Sequence, residues 1–381
     1  MKFGVETTRK ILDRLSSPDK KLKIIHIAGT NGKGSTAEFF TQILIAAGKK
    51  TGTFTSPAIY SYNGQFRING KPLSEDKAVK YFSDAVKAAA GLNATSFEIE
   101  TAGCIYAFYR ENCEFAVLEC GMGGLSDATN AVCGKSLAVI TSIALEHTAY
   151  LGNSPVEICS QKAGIIKDCP AVVNAYQPAG VLNFFKGTGA VIADKFDKTD
   201  GRNFTYGGKD YALGTYGCLQ PYNAATAIEG AALLGIDGES IKKGVENART
   251  EGRIEVIRAD KIYILDGAHN PAAFEPLKNF LKGEKSERTL VYGCLKDKDT
   301  DGNLQALEGL FGEAIAVECD SFRKSGLEET VCALNRHFKD VKAAKSIEEA
   351  VNSAHYGEVV VCGSFTLLKR AKDAISKRRK R

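Results

Sequence analysis

Short runs of aliphatic and β-branched residues alternate with longer stretches of helical periodicity along nearly the whole chain. KIIHIAG, FAVLECG, LAVITSI and AVVNA read as strands in the first part, and IYILDGA, TLVYG, AIAVE and EVVVCG in the last. Continuous apolar runs of this kind suit strands covered on both faces, and their alternation with helices predicts an α/β fold built on mostly parallel sheets. Between the two groups, NFTYGGKDYALG reads as a hairpin insertion, followed by the helix PYNAATAIEGAALLG and the polar stretch IKKGVENARTEGRIE. A domain boundary is expected within 250–253, where that polar helical pattern yields to new strands. The division is then a larger domain over 1–251, a linker at 252–257 and a smaller domain over 258–381. A length of 381 residues agrees, because single cores usually stop growing near ~250–300 residues.

Composition narrows the function classes. No run approaches the ~20 consecutive apolar residues that a bilayer-spanning helix needs, and the N-terminus lacks the apolar block of a secretory signal, so a soluble, cytoplasmic protein is expected. The 11 cysteines are odd in number and scattered through apolar segments with no CxxC pair, which favours buried thiols over disulfides or zinc. The formal charge of +5 resides in the terminal run KRRKR, residues 377–381. No aromatic residue interleaves with it, so a solvated tail is expected and a nucleic-acid partner is not.

The stretch IIHIAGTNGKGST, residues 24–36, carries the clearest chemistry. A strand leads through Gly29, Gly32 and Gly34 into a helical sequence. Glycines let successive backbone N–H groups turn inward, and the helix N-terminus adds partial positive charge. Lys33 adds a full charge, and Ser35 and Thr36 offer hydroxyls for a magnesium ion. The spacing departs from the common loop G-x-x-x-x-G-K-[ST]. The residue types still point to a nucleoside triphosphate, with Thr30, Asn31, Gly32, Lys33, Gly34, Ser35 and Thr36 around it.

GTNGKGST resembles the ATP loop of the Mur ligase superfamily, in particular of folylpolyglutamate synthase and the bifunctional dihydrofolate synthase. TSP (55–57), FEIETA (97–102), LECGMGGLSDATN (118–130), ITSIALEH (140–147), QKAGIIK (161–167), LDGAHNP (265–271) and YGCLKDKD (292–299) follow in the family's order. The resemblance implies a P-loop-containing Mur-ligase-type domain followed by a smaller Rossmann-like α/β domain. It also implies a reaction: ATP phosphorylates a carboxylic acid, and the amino group of L-glutamate attacks the acyl phosphate. The acceptor is folate or dihydropteroate, and a monomer is expected.

Residue by residue, the resemblance implies that Ser35, Ser56, Glu119 and His147 bind Mg2+, with Lys33, Glu119, His147 and Lys162 catalytic. Lys162 matches the position that is carbamylated in Mur ligases and would then join the metal ligands; the alternative is a lysine paired with phosphate or a carboxylate. Asn223 is expected at the adenine edge, Arg253 at the ATP phosphates, and Asp266 and His269 facing a nucleotide held between the domains. Phe97, Thr101, Asp127 and Asn130 are expected on the pterin side. Ser364 and Arg323 are weaker candidates for the glutamate pocket. His26 reads as core, and His337 and His355 have no motif around them.

The family pattern also frays. Ala58 stands for its histidine, Gly64-Gln65 for a Glu-Arg pair, Leu125 for an arginine and Gln161 for a glutamate. The changes at Ala58 and Gly64-Gln65 fall where the acceptor would be contacted. Two other readings therefore stay open: a divergent Mur-type ligase with another carboxylate acceptor, and an ATP-binding module without catalysis.

Overall fold

The computed structural model describes residues 5–282 and 287–378. Of the basic run at 377–381, Lys377 and Arg378 close the last described helix, Leu368–Arg378, and 379–381 lie outside the described residues. Two compact units are present. The first comprises Met1–Ala58, Tyr62–Gly214 and Leu219–Arg249; the second comprises Ile59–Ser61, Thr215–Cys218 and Thr250–Arg381.

The first unit is built on strands β1 (Lys23–Ala28), β2 (Thr51–Phe54), β3 (Phe66–Ile68), β4 (Lys71–Pro72), β5 (Phe115–Glu119), β6 (Lys135–Ile140), β7 (Ala171–Asn174) and β8 (Val191–Ala193). They form one 8-stranded sheet in the order β4-β3-β2-β5-β1-β6-β7-β8. All neighbours are parallel except β2 with β3 and β3 with β4. Alternation along the strands explains the layers. Ile25, Ile27, Phe115 and Val117 enter a core with Phe39, Phe40 and Leu137. Ile24, Ala116 and Leu118 enter another with Phe54, Phe66 and Phe108. A strand's side chains point to opposite faces in turn, so uninterrupted apolar runs are what a doubly covered sheet requires.

The expected hairpin forms from β10 (Asn203–Tyr206) and β11 (Lys209–Ala212). Its two-residue turn is Gly207-Gly208 with φ of 55° and 72°, the left-handed pair that matches strand twist in tight hairpins. A third strand that the sequence reading omitted, β9 (Phe196–Thr199), pairs with β10. It alternates weakly and lies mostly exposed, so only its partner identifies it.

The second unit holds β12 (Glu255–Arg258), β13 (Ile262–Leu265), β14 (Arg288–Tyr292), β15 (Glu313–Ala316), β16 (Val341–Ala343) and β17 (Glu358–Cys362). Their order is β12-β13-β17-β14-β15-β16, with β12 antiparallel to β13 and the rest parallel. The stretch expected as a linker, 252–257, runs into β12. Val359 and Val361 face one core and Val360 and Cys362 the other.

Candidate active site

The phosphate-type loop leaves the end of β1 and is held on the segment that follows β6. Thr30 N–H donates to Ser142 O at 2.8 Å, and Thr30 Oγ1 donates to Ala144 O at 3.1 Å. Two glycines are required by space. A Cβ on Gly29 would sit 1.8 Å from Thr141 Oγ1, and one on Gly32, whose φ is +88°, would sit 2.4 Å from Asn223 Oδ1. The helix Lys33–Ala46 starts immediately after this turn, which aims its N-terminal N–H groups along the loop.

Charged and hydroxyl groups converge here. Glu119 ends β5 and is only 4% exposed. Its carboxylate lies 3.9 Å from Lys33 Nζ, accepts from Ser56 N–H at 3.3 Å, and would stand 3.4 Å from a Cβ on Gly34. Ser56 precedes a cis peptide bond to Pro57. Ser35 is buried, and its Oγ accepts from Gln220 Nε2 at 3.4 Å. Gln220 was missed in the sequence reading; its only signal was its place one turn before Asn223 on the helix Gln220–Leu233. Asn223 Nδ2 donates to Gln220 Oε1 at 3.2 Å, and Asn174 Nδ2 donates to Asn223 Oδ1 at 3.4 Å. Asn223 thus stands against Gly32 inside a run of amides. The buried Thr36 hydroxyl has no protein partner among the described residues.

Lys162 belongs to the helix Pro155–Ala163, which Ser154 caps by accepting from Glu157 N–H and which Pro155 begins at its first position. It is 3% exposed, and its Nζ donates to Gly29 O at 2.7 Å. Burial, reinforced by the nearby Lys33 charge, lowers its pKa to about 7. Gly124 passes so close to this helix that a Cβ would meet Lys162 O at 2.6 Å. His147 lies on the exposed surface at a left-handed φ of 51°, with Nε2 3.9 Å from the Glu146 carboxylate. Among the described residues no three His, Cys, Asp or Glu side chains gather as a metal cluster. The Glu119 carboxylate and the Ser35 and Ser56 hydroxyls are hard oxygen groups of the kind suited to Mg2+.

On the expected acceptor side, Phe97 lies over Gly121, where a Cβ would come within 2.6 Å of its ring. The nearby Asp127 accepts from Met122 N–H at 2.8 Å and Thr129 N–H at 3.0 Å; burial raises its pKa. Thr101 is fully buried, and its hydroxyl has no partner among the described residues. Asn130 donates to Leu125 O at 2.9 Å and Gly164 O at 3.2 Å, while Lys135 Nζ donates to its Oδ1 at 2.5 Å. Its amide protons therefore tie two loops together. Gln65 is buried and donates to Tyr62 O at 3.3 Å. Leu125 is 51% exposed, and its N–H donates to Gln161 O at 2.8 Å.

The second unit has its own strand-end cluster after β13. Asp266 accepts from Ile254 N–H at 2.8 Å and Ala268 N–H at 2.7 Å. Burial raises its pKa, and the nearby Arg253 charge opposes that rise. Arg253 stacks 4.5 Å above the Phe365 ring, and His269 lies 6.0 Å from the same ring. His269 Nδ1 donates to Gly267 O at 2.8 Å, which places the proton of a neutral ring on Nδ1. Phe365 was not anticipated, because no motif marks it. Ser364 accepts from Thr366 N–H at 3.3 Å, and Arg323 is exposed with Nη1 3.4 Å from Asp297.

Comparison with known proteins places this arrangement. Residues 27–216 match the Mur ligase middle domain, and residues 252–365 match the Mur ligase glutamate ligase domain. The dihydrofolate synthase/folylpolyglutamate synthase of Escherichia coli (strain K12) is 31% identical over 398 residues, spanning 99% of this chain and 92% of that protein. The structure of E. coli FolC in complex with DHPP and ADP superposes with a TM-score of 0.89 at 29% identity, covering 100% of this chain and 94% of that one. A bifunctional folylpolyglutamate synthase/dihydrofolate synthase with Mn, AMPPNP and L-glutamate bound gives a TM-score of 0.85 at 29% identity, covering 99% and 95%. The chain belongs to the folylpolyglutamate synthase/dihydrofolate synthase family of Mur ligases, ATP-dependent enzymes that join an amino acid to a carboxylic acid.

Proposed function

We propose that this protein uses ATP and a divalent cation to add L-glutamate to a folate, and that it also accepts dihydropteroate. The observation that carries the reading is the convergence of Lys33, Glu119 and the Ser56 loop on the glycine turn, with Lys162 bonded to its first glycine. Amide formation from a carboxylate in water is uphill. Transfer of the γ-phosphoryl group of ATP to the acceptor carboxylate makes it an electrophile; the glutamate amine then attacks and phosphate leaves.

In this scheme the loop N–H groups and Lys33 hold the phosphates. Ser35, Ser56 and Glu119 would hold Mg2+, which when bound would offset the charge of the crowded oxygens. His147 is proposed as a further metal ligand. Lys162 is proposed to carry a carbamate: its burial and low pKa leave a share of neutral amine, the form that adds to CO2 with loss of a proton. Phe97 and Asp127 are proposed for the acceptor ring, with Thr101 and Asn130 supporting that wall. Asn223, beside Gly32, is proposed as a nucleotide contact, and Arg253, Asp266 and His269 as those of the second unit.

The test uses dihydropteroate or tetrahydrofolate labelled with 18O in the acceptor carboxylate, with ATP, Mg2+ and glutamate. Label is expected in the released phosphate, with ADP formed only when all three substrates are present. Phosphate free of label would overturn the acyl-phosphate route. Glutamate-dependent ADP release with other acids but with neither of these acceptors would assign the chain to a different acceptor class.

A further inference from the structure

His26 reads from sequence as a core residue, and it is buried in β1 between Ile25 and Ile27, which are buried too. Its polar contacts go beyond packing. Nε2 lies 2.7 Å from Thr129 Oγ1 and 3.1 Å from Cys120 Sγ. Nδ1 is buried without a partner among the described residues. Thr129 Oγ1 in turn donates to Asp127 Oδ1 at 2.5 Å.

The proton positions follow from what each group can do. An ionised carboxylate only accepts, so the single hydroxyl proton of Thr129 goes to Asp127. The Thr129 oxygen then accepts from His26, which carries its proton on Nε2. Cys120 Sγ is a weak further acceptor for that N–H. Burial and the nearby Lys135 and Lys167 charges hold the imidazole neutral. A directed chain therefore runs from β1 through a hydroxyl to the carboxylate. An aliphatic residue would fill position 26 without burying an unbonded ring nitrogen, so packing does not account for the histidine.

We propose that His26, acting through Thr129, is a positioning residue for the acceptor substrate. It holds the Asp127 carboxylate in the orientation that receives the N–H edge of a flat, amino-substituted heterocycle. This rests on the reading of Asp127 as an acceptor contact. One further observation sets the carboxylate beside an aromatic wall. The loop that carries it starts at Gly121, against the Phe97 ring. His26 also lies three residues before Gly29, so one strand carries both the phosphate turn and the anchor of the acceptor carboxylate.

Steady-state kinetics of the full chain test this with H26L, T129V, the H26L/T129V pair, H26Q and D127N. The acceptor is varied at saturating ATP and glutamate, and ATP is then varied at saturating acceptor. H26L and T129V are each expected to raise the acceptor KM about tenfold and to leave the ATP KM within about twofold. The double variant should be no worse than either single one, because the chain is already broken. H26Q, whose amide N–H can replace Nε2–H, should recover most of the loss. T129V is nearly isosteric and keeps the test open if H26L unfolds, and thermal midpoints separate folding from binding. An unchanged acceptor KM in T129V, equal rises for ATP and acceptor, or additive single effects would each overturn the proposal. A D127N effect alongside silent H26L and T129V would overturn it alone. A silent D127N would remove the acceptor role of Asp127 as well.

Discussion

The strand-end clusters of the two units use charge in opposite ways. In the first, Lys33 and Glu119 face each other across 3.9 Å, well beyond the ~2.7–2.9 Å of a charge-assisted hydrogen bond. Lys162 is buried beside them with a backbone carbonyl as its partner. In the second, Asp266 is bonded to two backbone N–H groups, and Arg253 rests on an aromatic face. The first cluster gathers charges that do not close on one another, an arrangement suited to a highly charged ligand. The second has its carboxylate tied into the turn, an arrangement that fixes backbone shape.

That contrast can be broken by substitution. The largest effect is expected from K162A, which should lower the ligation rate by about a thousandfold or more and leave ATP affinity within about threefold. Isothermal titration with an ATP analogue alongside turnover would check it, and a near-normal rate would remove Lys162 from the chemistry. G32A comes next. It forces a left-handed φ of +88° on alanine and a clash with Asn223, and strain of about 1–3 kcal/mol corresponds to a rise of roughly fivefold to 150-fold in the ATP KM.

The acid limb of the pH profile sharpens the role of Lys162. Its pKa is lowered to about 7, so the neutral amine, and with it carbamate formation, grows as pH rises through about 7 and is lost below. Activity in CO2-stripped buffer should fall most steeply on that limb and return with bicarbonate; a profile indifferent to bicarbonate would exclude the carbamate.

Smaller effects are expected in the second unit. Loss of the stacked guanidinium in R253A removes a contact of about 0.5–2 kcal/mol, which should appear as a rise of a few-fold to about thirtyfold in the ATP KM with little change in thermal midpoint. S364A removes the cap on Thr366 and should lower stability by about 1 kcal/mol, read by chemical denaturation. If R253A proved as damaging as K162A, the division between a reacting cluster and a shaping one would fail.

Much of this was legible in one dimension. The strands β1, β5, β13 and β17 follow from apolar runs, and the glycine turn follows from its own spacing, because both depend on neighbours in sequence. Asn130 shows the limit. Its place in DATN marks a functional neighbourhood, yet its amide is committed to Leu125 O and Gly164 O, and nothing local in sequence tells a side chain facing a ligand from one facing a carbonyl far along the chain. Gln220, Phe365 and the strand β9 escaped for the same reason.

By itself the sequence determined the alternating α/β plan, the curl of the loop after β1, and the stock of lysines, carboxylates and hydroxyls around it. These depend on side-chain period, backbone freedom and residue chemistry, all of which are properties of short segments. Only the tertiary structure decided that Lys162 is buried against Gly29 and lowered in pKa, that Asn223 adjoins Gly32, and that His26 reaches Asp127 through Thr129. Desolvation and hydrogen-bond direction arise from groups more than a hundred residues apart meeting in one interior, and so they exist only once the chain has folded.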